Sequence, residues 1–189
     1  MTALEEFASL IKDHVGPRLR EWGWIGSGAN WVRPDPTQWV LLGWQKDRYS
    51  DAAAVSFTAN LKVISKDAWD AENIPRGRRP AKPSASTTWG LGWEQRLGSV
   101  IPGTVGDLWW VVRPGEDLAP IAGEVLRALE THGLPAIESA LAAAESMPRL
   151  CWHNVGRHNW FEACGRPADV EVRRRDRVTV RCEAHAAVT

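Results

Sequence analysis

Leu4, Phe7, Ala8, Ile11, Val15, Leu19 and Trp22 recur at steps of three and four, the spacing that lines one stripe of an α-helix. A helix is therefore predicted over residues 2–22. Thr2 followed by Glu5 three positions later reads as a capping box that starts it. Gly16-Pro17 should kink or split it, because Pro17 has no N–H for the preceding turn, and Gly23 should end it. The period then drops to two. Strands are predicted over 29–33 and 38–46, separated by the Pro34-Asp35-Pro36 turn, and over 55–63. In the last of these Val55, Phe57, Ala59, Leu61 and Val63 alternate with Ser56, Thr58, Asn60 and Lys62. Its apolar face must cover a core, leaving the polar face to water or a ligand. Residues 74–88, with three prolines and four basic side chains, read as a loop. Two more strands are expected at 94–101 and 108–112, joined by a turn at Pro102-Gly103. A helix over 118–131 would bury Ile121, Val125, Leu126 and Leu129 and stop at Gly133, and a short alanine-rich helix over 134–144 follows. Helix, then strands, then helices, with no repeated strand-helix-strand unit, predicts an α+β fold: an antiparallel sheet of four or five strands packed with N-terminal and C-terminal helices.

After residue 146 the pattern changes. All three cysteines and three of the five histidines lie in 147–189, where Val170, Val172, Val178 and Val180 alternate on either side of a charged turn, the signature of a small β-hairpin. The chain therefore divides into an α+β domain over 1–146 and a hairpin appendage over 147–189.

Composition narrows the function classes without choosing one. The 189 residues carry 23 basic and 23 acidic side chains, so no net field draws the protein to nucleic acid or an anionic membrane. No apolar run spans a bilayer and the first residues lack a signal-peptide core, which together with an odd number of cysteines leads us to expect a cytoplasmic protein. Tryptophan occurs twelve times against one tyrosine and three phenylalanines. Either Trp fills core positions that Phe takes elsewhere, or it lines an aromatic pocket. No Gly-rich phosphate loop, framed carboxylate pair or nucleophile elbow is present.

Six stretches, EWGW…NWVR, WQK, VSFTANLKV, QRLGS, DLWWVV and HGLPAI, occur in the order and spacing of the bacterial family known as domain of unknown function 4304, and over about residues 3–141 the chain resembles it. Gly23-Trp24 stands at that family's Gly-Phe position, Gln45-Lys46 at its Gln-Lys strand end, and Ser56 to Leu61 at its Ser-Phe-Thr-x-Asn-Leu strand. The resemblance implies a small α+β domain whose activity is not established, and it carries over no catalytic residue. Gln45, Asn60, Arg96 and Trp109 are candidates for a ligand groove over the sheet. Alternatively, the two amides satisfy backbone groups at strand ends and the indole belongs to the core.

The tail resembles treble-clef and ribbon-like zinc sites from Cys164-Gly165 onward, with Cys182-x-x-His185 after the hairpin. It departs where the first knuckle ligand would stand, at Phe161. Cys164, Cys182 and His185 supply three ligands, and structural zinc takes four. His158 is the first candidate for the fourth, with Cys151 and His153 next. Three readings stay open: a closed structural zinc site, a knuckle that packs without metal, or an open catalytic site with Glu162 or Glu183 as base. Arg173-Arg174-Arg175 at the hairpin tip, with Glu171 and Asp176 beside them, read as a solvated turn. We therefore expect a non-enzymatic domain that recognises a protein partner and carries a tail that zinc would stabilise. The alternatives are an enzyme using the Trp-rich groove, and a nucleic-acid-binding module acting through the basic hairpin.

Overall fold

A computed structural model of the protein describes residues 1–71, 80, 82–88, 90–104, 107–146, 170–174 and 177–182. The first helical stretch comprises α1 (Ala3–Ser9), a π-helical segment (Leu10–Val15) and α2 (Gly16–Glu21). Both halves of the capping box form, Glu5 N–H donating to Thr2 Oγ1 and Thr2 N–H donating to Glu5. Hydrogen bonding from the Thr2 N–H first, and then from the Thr2 side chain, holds the Glu5 carboxyl below its ordinary pKa. At Gly16-Pro17 the helical stretch is divided as expected, by a change of helix type: the π segment ends and α2 begins at Gly16, with Pro17 in its first turn. The chain widens into the π segment just before Pro17, and Gly16 N–H reaches back five residues to the Ile11 carbonyl. A widened turn offsets the carbonyls from a proline ring that cannot bond to them.

The sheet has six antiparallel strands: β1 (Ile25–Ser27), β2 (Asn30–Arg33), β3 (Gln38–Lys46), β4 (Val55–Ser65), β5 (Trp93–Arg96) and β6 (Trp110–Val112). Together with the helices this is the α+β fold expected. The order is β1-β2-β3-β4-β5, and β6 also pairs with β4. Arg96 lies opposite Asn60 and Trp110 opposite Phe57, so β5 and β6 follow one another along the same edge of β4. They are two parts of one edge line interrupted by an excursion over residues 97–109, not neighbours joined by a turn. The predicted strand over 94–101 ends early because Leu97–Val100 turns as a 3-10 helix. There the backbone presses so closely on Asp107 and Leu108 that a Cβ at Gly98 would lie 2.3 Å from Leu108 N.

Between β4 and β5 comes α3 (Lys66–Ala71), a short helix that the sequence pattern did not predict. After β6, α4 (Leu118–Ala128) begins at Asp117, whose carboxylate accepts from Ala119 N–H. Gly133 does not end it. The chain widens into a second π segment (Leu129–Gly133) and continues as α5 (Leu134–Ser146), again with a proline, Pro135, immediately after. A Cβ at Gly133 would sit 3.1 Å from Leu97 Cδ1 and 3.4 Å from Leu61 Cδ1, so this glycine serves close packing on the sheet.

The N-terminal helical stretch and the α4–α5 stretch cover one face of the sheet. Phe7, Leu10, Val15 and Leu19 meet Val125, Leu129 and Ile137 over Leu42, Trp44, Phe57 and Leu61 in one core. Trp24, Trp31, Trp44 and Trp110 are buried in it, so core filling accounts for much of the tryptophan content. Beyond this domain, β7 (Val170–Arg174) and β8 (Arg177–Arg181) form the expected antiparallel hairpin, and β8 lies beside α3.

Candidate functional site

Alternation along β4 turns Ser56, Thr58, Asn60, Lys62 and Ile64 away from the helical layer. Their partners in register on this second face are Gln45, Gly43, Leu41 and Trp39 of β3, and Arg96 and Glu94 of β5. The sequence pattern leaves the polar side of β4 to water or ligand. Thr58, Asn60 and Lys62 are little exposed, at 0%, 7% and 4%, and Asn60 and Lys62 line a groove on this face. Asn60 and Lys62 are covered where the segment over residues 82–88 crosses this face. A Cβ on Gly43 would lie 2.5 Å from the Ala85 Cβ, which shows how closely the segment descends. One part of the second face is apolar, with Leu41, Ile64, Ala68, Trp69 and Ala85 buried apart from the main core. The other part is polar and lines an open groove of about 320 Å³.

Gln45 and Asn60 form the groove floor, where Asn60 Nδ2 donates to Gln45 Oε1 at 3.0 Å. Lys62 Nζ donates to Glu94 Oε2 at 2.5 Å and to the Thr87 carbonyl at 2.6 Å, tying β4, β5 and the crossing segment together. Side-chain exposures of 5% and 12% make this a buried ion pair. At the other end Arg96 pairs with Asp107 of the 97–109 excursion. Ser99 Oγ donates to Gln95 Oε1 and to the Arg96 carbonyl, closing the wall. Every charge in the lining thus has an opposite charge against it, two cations with two anions.

Of the four groove candidates, Gln45, Asn60 and Arg96 line the cavity together. Trp109 does not line it, but lies under the Arg96 guanidinium, 5.7 Å from ring centroid to Cζ. Lys62, Glu94 and Asp107 were not among the candidates. The period-two pattern places Lys62 on the Asn60 face, so that residue was within reach of sequence reasoning. Asp107 was not, because only the return of the excursion brings it to Arg96. The lining contains neither His nor Cys, and both of its carboxylates face cations.

Of the zinc candidates, Cys182 is described, buried at 5% exposure just after β8. Cys151, His153, His158, Cys164 and His185 lie outside the described residues, as do Glu162 and Glu183. Among the described residues no three His, Cys, Asp or Glu side chains cluster as metal ligands would. Arg173 and Arg174 fall within β7, and Arg175 lies outside the described residues. No helix among the described residues is long and apolar enough to cross a membrane.

A family model described as "Domain of unknown function (DUF4304)" matches residues 15–139. No curated protein and no solved structure matches the chain.

Proposed function

The chain belongs to the DUF4304 family, and we propose that it is a non-enzymatic binding domain, of bacterial and cytoplasmic setting, whose groove beneath residues 82–88 recognises a partner protein. One observation carries this reading. Side chains from three adjacent strands converge on a concave polar site whose charges are already neutralised, while amide groups on its floor keep hydrogen-bonding capacity. Concave sites with a few convergent polar groups are where proteins take ligands. Acid–base chemistry would need a carboxylate or imidazole poised to exchange a proton, and both carboxylates here are held by cations.

The test is a two-dimensional NMR screen with small neutral, anionic and cationic fragments. We expect saturable shifts concentrated on the amides of residues 43–45, 60–62, 86–88 and 94–99. A screen in which no fragment moves these resonances refutes the groove as a binding site.

For the tail we propose structural zinc held by Cys164, Cys182, His185 and His158. The β7–β8 hairpin between the two cysteines and the buried Cys182 support this, as does the ligand chemistry of the four residues. Zinc measured in purified protein should approach one per chain and fall on Cys182→Ser. A metal-free wild type would sink the proposal.

A further inference from the structure

From the unspent hydrogen-bonding groups on the groove floor, we infer that the site is selective for a neutral amide: a peptide group or a small carboxamide. The inference rests on the groove being the binding site and names what that site takes.

A carboxamide oxygen offers two lone pairs and its nitrogen two N–H donors. The Asn60–Gln45 bond uses one N–H of Asn60 and one lone pair of Gln45. Among the described residues, Asn60 Oδ1 and Gln45 Nε2 have no protein partner, so the two bonded amides keep one acceptor and one donor for a ligand. Turning both amides over exchanges their roles but again leaves one of each. A peptide group or primary amide presents the matching pair, N–H to the acceptor and C=O to the donor. Asn60 is 7% exposed. Among the described residues neither Asn60 Oδ1 nor Gln45 Nε2 is a buried atom left without a partner, so both open to the groove, and a ligand that displaces water from them without replacing its hydrogen bonds is disfavoured against one that replaces them.

The surrounding charges point the same way. An anionic ligand finds Arg96 already neutralised by Asp107, and Lys62 by Glu94 with the Thr87 carbonyl as a further acceptor, so the lining offers it no net positive charge. A cationic one finds Glu94 and Asp107 likewise neutralised. A neutral amide needs no net charge in the lining. The cavity, at about 320 Å³, is at the small end of ligand sites, enough for a short stretch of extended chain.

The probe is N-acetylglycine N-methylamide, titrated into the full chain and followed through the backbone and side-chain amides of Gln45 and Asn60. A saturable shift with a dissociation constant on the order of millimolar is expected for so few atoms. The matching ester, which lacks the N–H, should bind at least about tenfold more weakly. Gln45→Met, of similar size and half-buried, should weaken the amide by about tenfold while leaving the melting temperature near that of wild type. If a doubly capped tetra-alanine binds more tightly than the single diamide, the amide belongs to a polypeptide; if not, to a small carboxamide. Either outcome supports the class. Ester and amide binding alike overturns it, and so does a groove that responds only to acetate or methylguanidinium, with the binding site itself still standing. Silence from every probe removes both.

Discussion

Gly43 gives the most direct handle on how the groove is built. Nothing in its alternating position on β3 asks for glycine, yet a methyl group there would approach Ala85 Cβ to 2.5 Å. Optimal carbon–carbon separation is about 3.5–4.0 Å, so Gly43→Ala forces the 82–88 segment to lift by roughly 1 Å. Overpacking of this kind costs about 1–3 kcal/mol, against a gain of about 0.4–1 kcal/mol from a stiffer unfolded chain. A net loss of about 1–2 kcal/mol is expected in urea denaturation, accompanied by shifted Thr87 and Thr88 resonances as the Lys62–Thr87 bond lengthens. Ala85→Gly alone loses a buried methyl and should also destabilise, by about 1 kcal/mol or somewhat more. The two together should be better than their sum, because the new Cβ fills the space the old one leaves. Additivity within about 0.5 kcal/mol, or a Gly43→Ala variant more stable than wild type, would refute the claim that this close approach positions the groove wall.

Lys62→Ala removes the cation that Glu94 and the Thr87 carbonyl both face, and should destabilise by about 3–5 kcal/mol in chemical denaturation, whereas Lys62→Met with Glu94→Gln should recover more than half of that loss. A fixed loss in both variants would show that the charges are not what matters there. Thr58 Oγ1 is fully buried and has no hydrogen-bond partner among the described residues. Thr58→Val should therefore leave stability unchanged or raise it by about 1 kcal/mol, and a clear loss in the same assay would contradict that. The Ala53 and then the Ala54 N–H groups hold the Asp51 carboxyl below its ordinary pKa. Because the folded-state value is depressed, its contribution is present above the unfolded carboxylate pKa and disappears as pH falls through the folded one. Stability measured across the acid range should fall more steeply for wild type than for Asp51→Asn, and parallel curves would argue against it.

The periodic elements were legible in the sequence because their apolar spacing is local physics. The stripe from Leu4 to Trp22 specifies a helix, Thr2 and Glu5 its start, and the alternation from Val55 to Val63 a strand with two different faces. β3 matches its predicted bounds because the bulky apolar run is set between turn residues. Gly16-Pro17 divides its helical stretch without ending it, and Gly133 does not end its own, for one reason. Local rules treat Gly and Pro as breaks, but packing against the sheet stabilises a continuous helix strongly enough to open a π turn around each proline. The groove shows the same boundary. Alternation puts Asn60 and Lys62 on one face, and the Gln45–Asn60 pairing follows once β3 and β4 are in register. That this polar face is buried depends on the 82–88 segment, and that Arg96 meets Asp107 depends on the 97–109 excursion. Both are contacts between chain segments with no periodicity to announce them. Their positions are fixed by how closely backbones approach at Gly43 and Gly98, which only the assembled tertiary structure decides.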